Sequence, residues 1–205
     1  MTDRIQVYAD YVCPFCYLGK RSLERYREQR DRPLEIEWHP FDLRRGKRGP
    51  DGSIDHERDD GKDEAYYAEA RRNVRRLQER YGVEMADELR RDVDSLFAQL
   101  ASFSVSRTDP EHWEAFDEAI YQALWQDGRD VGRVDVLVDL AEDVGLPGDA
   151  IRTATEDETL RDELEERFAD AQRSGVTGVP TFVFDGRTAR GAVPPEQLER
   201  LVEGE

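Results

Sequence analysis

Ile5-Gln6-Val7-Tyr8-Ala9-Asp10-Tyr11-Val12-Cys13-Pro14-Phe15-Cys16 decides the reading of this chain. Ile5, Val7 and Ala9 alternate with Gln6 and Tyr8, which predicts a strand with one face buried. Pro14 suits the first turn of a helix, where its missing N–H costs nothing. Phe15, Leu18, Leu23 and Tyr26 continue a helical pattern to about Arg30. The two cysteines therefore lie where a strand turns into a helix.

Outward from this junction, Leu34, Ile36 and Trp38 alternate with charged residues and predict a second strand ending near Phe41. Asp42 to Asp63 is rich in Gly, Pro and charge and reads as a long surface loop, either a solvated segment or a gate over a substrate. Its run Arg44, Arg45, Lys47, Arg48 is unusual in so acidic a chain. From Glu64 to about Ser174 the pattern is helical. One helix carries Tyr67, Val74, Leu77 and Tyr81 and stops at Gly82. A second is expected over Ala86 to Leu100, a third along Trp113, Phe116, Ile120, Tyr121 and Leu124, and a fourth along Val134 to Ala141. Ala150 to Thr155 reads as a short turn, and Leu160, Leu164 and Phe168 mark a last helix. Thr181 to Phe184 and Arg187 to Ala192 then read as strands joined by the hairpin signal Asp185-Gly186, before a terminal helix opened by Pro194 or Pro195. This order implies an α/β sheet domain split by helices: residues 1–63 and 175–205 form the sheet unit and 64–174 the insertion.

The 205 residues include 47 Asp and Glu against 30 Lys and Arg, a net charge of -17. Such a surface repels phosphate backbones and anionic membranes, so neither nucleic acid nor membrane is an expected partner. Nearly all the basic charge is arginine; Lys20, Lys47 and Lys62 are the only lysines. In composition this is similar to proteins of salt-loving archaea. Self-repulsion at low salt predicts loss of helical circular dichroism on desalting. The first ten residues read as a strand rather than a leader, which gives a cytoplasmic expectation. Nothing in the pattern demands an oligomer, so a monomer is expected.

Two cysteines three positions apart at a helix start suit redox chemistry. The unpaired N–H groups and positive end of the helix favour a thiolate at Cys13. Cys16, one turn on, is placed to resolve a mixed disulfide. Cys13 is expected to be exposed and Cys16 buried. A zinc site needs further ligands, and His39, His56 and His112 are scattered, so neither metal nor cofactor is expected. Glu24, Glu35 and Glu37 are candidate proton-handling groups, though each reads equally as a solvated charge. Tyr11 and Tyr17 either line the approach or pack in the core.

Cys13-Pro14-Phe15-Cys16, Gly178-Val179-Pro180-Thr181 and Gly191-Ala192 followed by Pro194-Pro195-Glu196 together resemble DsbA-like oxidoreductases of the thioredoxin superfamily, in the FrnE or dithiol–disulfide isomerase group. The resemblance covers essentially the whole chain. It implies a thioredoxin-like fold with a large all-helical insertion between βαβ and ββα halves. It also implies a cis Pro180 opposite the dithiol, with the Val179 backbone pairing with an extended peptide. Cys13, Cys16 and Pro180 are the implied catalytic residues, and Pro14, Phe15, Tyr11 and Val179 the implied substrate contacts. Val193, where the group often has glutamine, and the polar 42–63 segment depart from its pattern.

The activity implied is thiol–disulfide exchange with protein or peptide substrates, running as oxidation, reduction or isomerisation according to potential and partner. Glutathione or a thioredoxin-type protein are partners the resemblance admits. The alternative is a glutathione-dependent transferase or isomerase of a small molecule, as in kappa-type transferases and hydroxychromene carboxylate isomerases. Those relatives typically carry serine at the position of Cys13, so retention of both cysteines favours disulfide exchange.

Overall fold

A computed structural model describes residues 2–49, 52–55, 57–58 and 61–204. Pro50, Asp51, His56, Asp59 and Asp60, part of the expected 42–63 loop, lie outside the described residues. Four strands form one sheet in the order β2-β1-β3-β4. Strand β1 (Asp3–Ala9) is followed by helix α1 (Pro14–Gln29) and by β2 (Leu34–Pro40), which runs parallel to β1 with Val7 opposite Trp38. Strand β3 (Thr181–Phe184) lies antiparallel on the other side of β1, and β4 (Arg187–Arg190) completes the hairpin. The hairpin turn places Asp185 and Gly186 at φ 47° and 74°, the left-handed geometry that Asp-Gly supplies. Helix α8 (Pro195–Glu203) closes the chain.

Among the described residues six α-helices and a short 3-10 turn (Arg45–Lys47) stand between β2 and β3: α2 (Glu64–Tyr81), α3 (Leu96–Thr108), α4 (Pro110–Trp125), α5 (Val134–Asp143), α6 (Gly148–Glu156) and α7 (Glu158–Arg173). The architecture is thus a thioredoxin-like βαβ core and a ββα half with an all-helical region inserted between them. Helix α2 is capped by the Asp63 carboxylate, which accepts from Tyr66 N, and ends at Gly82 with φ 55°. No helix among the described residues is long and apolar enough to cross a membrane.

Hydrophobic clusters pack on the sheet from both the α1–α8 side and the helical insertion. Ile5, Leu23, Tyr26, Phe182, Leu198 and Leu201 pack α1 and α8 against it. The larger cluster joins both cysteines, Tyr11 and Tyr17 to the α4 stripe of Trp113, Phe116, Ile120, Tyr121 and Leu124, so that stripe is core. Each fully buried aromatic of this kind contributes roughly 1.5–3 kcal/mol relative to exposure.

The helix expected over Ala86 to Leu100 is displaced. Residues 83–95 are irregular and the helix begins at Leu96. Ala86 N donates to Trp125 O, and Asp94 is held by Arg48, so tertiary contacts set the path there. The turn expected at Ala150 to Thr155 is a true helix, α6, with Ile151, Ala154 and Thr155 buried.

Candidate active site

Strand β1 ends at Ala9, and Asp10-Tyr11-Val12 carries the chain over its edge to Cys13, the N-cap residue of α1. Cys13 N donates to Asp10 O at 3.1 Å, and Cys16 N donates to Cys13 O at 2.9 Å, closing the first helical turn. Both thiols are free. The Cys13 sulfur accepts no capping hydrogen bond from the helix. It faces the Val179 carbonyl oxygen at 3.5 Å instead. Cys13 is only 4% exposed and Cys16 2%, so the expected contrast between an exposed and a buried thiol does not hold. The loop before β3 covers Cys13.

The Val179–Pro180 peptide of that loop is cis, as the resemblance implies. Thr181 Oγ1 braces the loop by donating to Gly178 O at 2.8 Å. The Pro180 ring rests on α1 at Gly19, where a Cβ would come within 3.0 Å of Pro180 Cγ. A glycine there lets helix and loop approach closely.

Above the dithiol lies a cleft of about 400 Å³ bordered by Cys13, Pro14, Phe15, Val179 and one side of α2. Behind the dithiol lies a cavity of about 30 Å³, room for a single water, bordered by Cys16, Lys20, Trp113, Asp117 and Tyr121. Lys20 Nζ is 3.1 Å from Asp117 Oδ2 and 3.0 Å from Glu24 Oε1. Tyr11 OH donates to Asp117 Oδ1 at 2.8 Å. Burial pushes the Asp117 carboxyl above its usual range, although Lys20 and Tyr11 oppose this. Burial would discharge Lys20, but Asp117, Glu24 and Glu118 outweigh it and hold it protonated. Burial also pushes Cys16 well above the ordinary thiol range, reinforced by the Cys13 thiol beside it.

Several expectations change here. Tyr11 does not border the cleft: it is buried, hydrogen-bonded to Ser102 and Asp117, with its ring tilted at 56° against that of Tyr121. Tyr17 is buried too, accepting from Gln126 Nε2. Glu35 pairs with Arg4, and Glu37 with His39, far from Cys16. Glu24 reaches the site only through Lys20. Lys20 and Asp117 are the ionisable pair that the sequence reading missed. Lys20 is four residues after Cys16, on the same helix face. Asp117 interrupts the apolar stripe four residues after Trp113 and four before Tyr121. Among the described residues no three His, Cys, Asp or Glu side chains gather as metal ligands.

Asp10 is a second buried carboxyl near the dithiol. It accepts from Ser95 Oγ at 2.5 Å, Leu43 N at 2.8 Å and Val12 N at 3.2 Å, and burial raises its pKa to about 6.

A family model described as a DSBA-like thioredoxin domain matches residues 4–203. The Bacillus subtilis (strain 168) protein YwbO, described as uncharacterized, is 30% identical over 208 residues, covering 100% of this chain and 98% of that one. Among solved structures, a probable DsbA oxidoreductase of Streptomyces coelicolor is similar at TM-score 0.80 and 23% identity, covering 99% of this chain and 91% of that one. A 2-hydroxychromene-2-carboxylate isomerase is similar at TM-score 0.76 and 18% identity, covering 96% and 92%. At these identities the structural likenesses show the fold.

Proposed function

The chain belongs to the DSBA-like thioredoxin domain family, and on that premise we propose that it exchanges disulfides with protein or peptide substrates through Cys13 and Cys16. That membership also corrects the cytoplasmic expectation. DsbA-family oxidoreductases typically act in extracytoplasmic, oxidising surroundings, where disulfides persist. Within the family, Cys13-Pro14-Phe15-Cys16 with Gly178-Val179-Pro180-Thr181 favours the FrnE-type dithiol–disulfide isomerase group.

The observation that carries the reading is the placement of the Cys13 sulfur at the start of α1, against the Val179 carbonyl and at the mouth of the cleft. In the reductive direction, the Cys13 thiolate attacks one sulfur of a substrate disulfide. That S–S bond breaks, a mixed disulfide forms, and the leaving thiolate takes a proton from solvent. Cys16 then gives its proton towards the Lys20–Asp117 pair and attacks the Cys13 sulfur. The second substrate thiol leaves, and the two cysteines end as a disulfide, oxidised by the two electrons the substrate gained. Oxidation of a substrate dithiol runs the same steps backwards. Isomerisation stops at the mixed disulfide and expels Cys13 unchanged.

Pro14, Phe15 and Val179 border the path of the substrate, with the Val179 backbone as the edge for an extended peptide. Residues 1–63 and 175–205 are the proposed redox unit, and 64–174 the unit that walls it. A 2-hydroxychromene-2-carboxylate isomerase shares this fold. A buried second cysteine with its own ion pair, however, serves resolution of a mixed disulfide, a step that small-molecule isomerisation does not contain. Reduction of insulin disulfides tests the reading: Cys13→Ser should abolish it, and unchanged turnover would overturn the proposal.

A further inference from the structure

The cleft over Cys13 has a charge opposite to that of the molecule. Its charged lining residues are Arg44, Lys47, Lys62, Arg71, Arg90 and Arg91, with no Asp or Glu among them. The chain as a whole has 47 acidic residues against 30 basic. The cleft also gathers exposed apolar surface. Leu43, 37% exposed, and Tyr66, 51% exposed, are the only exposed large hydrophobic side chains among the described residues, and both border it.

Arg71 and Arg91 are held loosely by an acidic partner outside the cleft, and Arg90 firmly. Arg91 lies 3.4 Å and Arg71 4.0 Å from Glu64, which is 79% exposed. Arg90 grips Asp92 in a fork, Nε to Oδ1 at 3.1 Å and Nη2 to Oδ2 at 2.7 Å, and lies 3.7 Å from Asp130. Arg44 donates to the Arg91 carbonyl oxygen. The long, solvent-exposed pairs of Arg71 and Arg91 with Glu64 are weak, so an incoming carboxylate can replace them. A guanidinium offers that carboxylate two parallel donors. With a net charge of -17, the rest of the surface repels an acidic substrate, and this cleft is where that repulsion reverses.

We propose that the cleft selects substrates whose reactive cysteine lies in an acidic peptide stretch, with Arg71 and Arg91 receiving the flanking carboxylates while the apolar rim of Leu43 and Tyr66 receives a neighbouring side chain. This rests on the disulfide-exchange reading and names its substrate class. The cleft volume of about 400 Å³ is within the usual range for a bound small molecule or short peptide segment. The cleft reaches the Val179 backbone, beside which an extended chain would run.

The test uses the reduced full-length protein and disulfide-linked model peptides that carry Asp, Asn or Lys on both sides of the cysteine. Second-order rates are read at one fixed ionic strength, with glutathione disulfide as a parallel substrate. The expected order is Asp, then Asn, then Lys, with at least about tenfold between the ends. In the Arg71→Gln/Arg91→Gln double variant the ratio of Asp to Lys rates should fall towards one. Equal rates for the Asp and Lys peptides, a reversed order, or an unchanged ratio in the double variant would overturn the proposal. So would turnover of glutathione disulfide without turnover of any peptide. Exchange with the Asn peptide but no charge preference would overturn this inference alone, whereas no exchange with any disulfide would overturn the underlying reading as well.

Discussion

Lys20 Nζ lies 3.1 Å from Asp117 Oδ2, joining the helix that carries both cysteines to the buried face of α4, directly behind Cys16. If this pair takes the Cys16 proton, Asp117→Asn should slow resolution of the mixed disulfide by roughly 10²-fold. The rate should then climb with pH as bulk ionisation of Cys16 supplies the thiolate, and Asp117→Glu should restore part of it. Stopped-flow resolution across a pH series reads this. A pH profile identical to the wild type would reduce Asp117 to a structural role. The same variant should lose roughly 3 kcal/mol of stability, since breaking a buried pair strands its partner.

Burial sets Cys16 apart in reactivity. Its thiol is pushed well above the ordinary range, mainly by desolvation. Iodoacetamide at neutral pH should therefore label Cys13 first and reach Cys16 only after unfolding. Peptide mapping of singly alkylated protein checks this, and equal labelling of both cysteines would count against the assigned roles.

Gly19 is the seat of Pro180. A side chain there pushes against the proline ring and against Phe182 Cζ, which an added Cβ would meet at 3.2 Å. Gly19→Val should cost roughly 1–3 kcal/mol by overpacking and should slow disulfide exchange by shifting the loop that carries Val179. Urea unfolding and exchange rates measured together test this. A variant as stable and as active as the wild type would mean that the contact is slack.

Asp10 gives a pH signature with a definite sign. Burial raises its carboxyl from 3.8 to about 6, so the folded protein binds more protons than the unfolded chain between those values. Stability from Asp10 is fully present below about pH 4 and is lost as pH rises through about 6. Compared with Asp10→Asn, the wild type should therefore lose on the order of 3 kcal/mol between about pH 4 and about pH 7. Asp42 adds to the upward shift, and Ser95 and the Leu43 N–H oppose it. Chemical denaturation of both proteins across that range measures the difference. A wild-type advantage that grows with pH would contradict the account.

Local chemistry explains what could be read from the chain. Ile5, Val7 and Ala9 on one face, Pro14 at a helix start, Gly82 at a helix end and Asp185-Gly186 in a hairpin each act within a few residues. Elements governed by distant contacts were hidden. Leu89, Val93, Leu96 and Leu100 recur at helical spacing, yet the Ser95 hydroxyl is spent on Asp10 rather than on capping, and Arg48 holds Asp94. Helix α6 was masked by Thr153 and Thr155, whose branched side chains lower helix propensity. The dithiol and the proline opposite it were visible as motifs. The Lys20–Asp117 pair needed the packing of α4 on α1, although a lone lysine on the Cys16 face and an acid within an aromatic stripe were its traces. The basic cleft needed the fold of residues 43–71 and 90–91 around Cys13, because these segments are apart in sequence.

The most direct measurement is the redox equilibrium of the Cys13–Cys16 pair itself, set in glutathione buffers at high salt and read by mass after thiol alkylation. The account predicts an intramolecular disulfide that follows a two-electron Nernst curve, with a midpoint between about -120 and about -270 mV. A value near the upper end marks an oxidant or isomerase and a value near the lower end a reductant. Two thiols that stay separate in the most oxidising buffer, or cap only with glutathione, would contradict it.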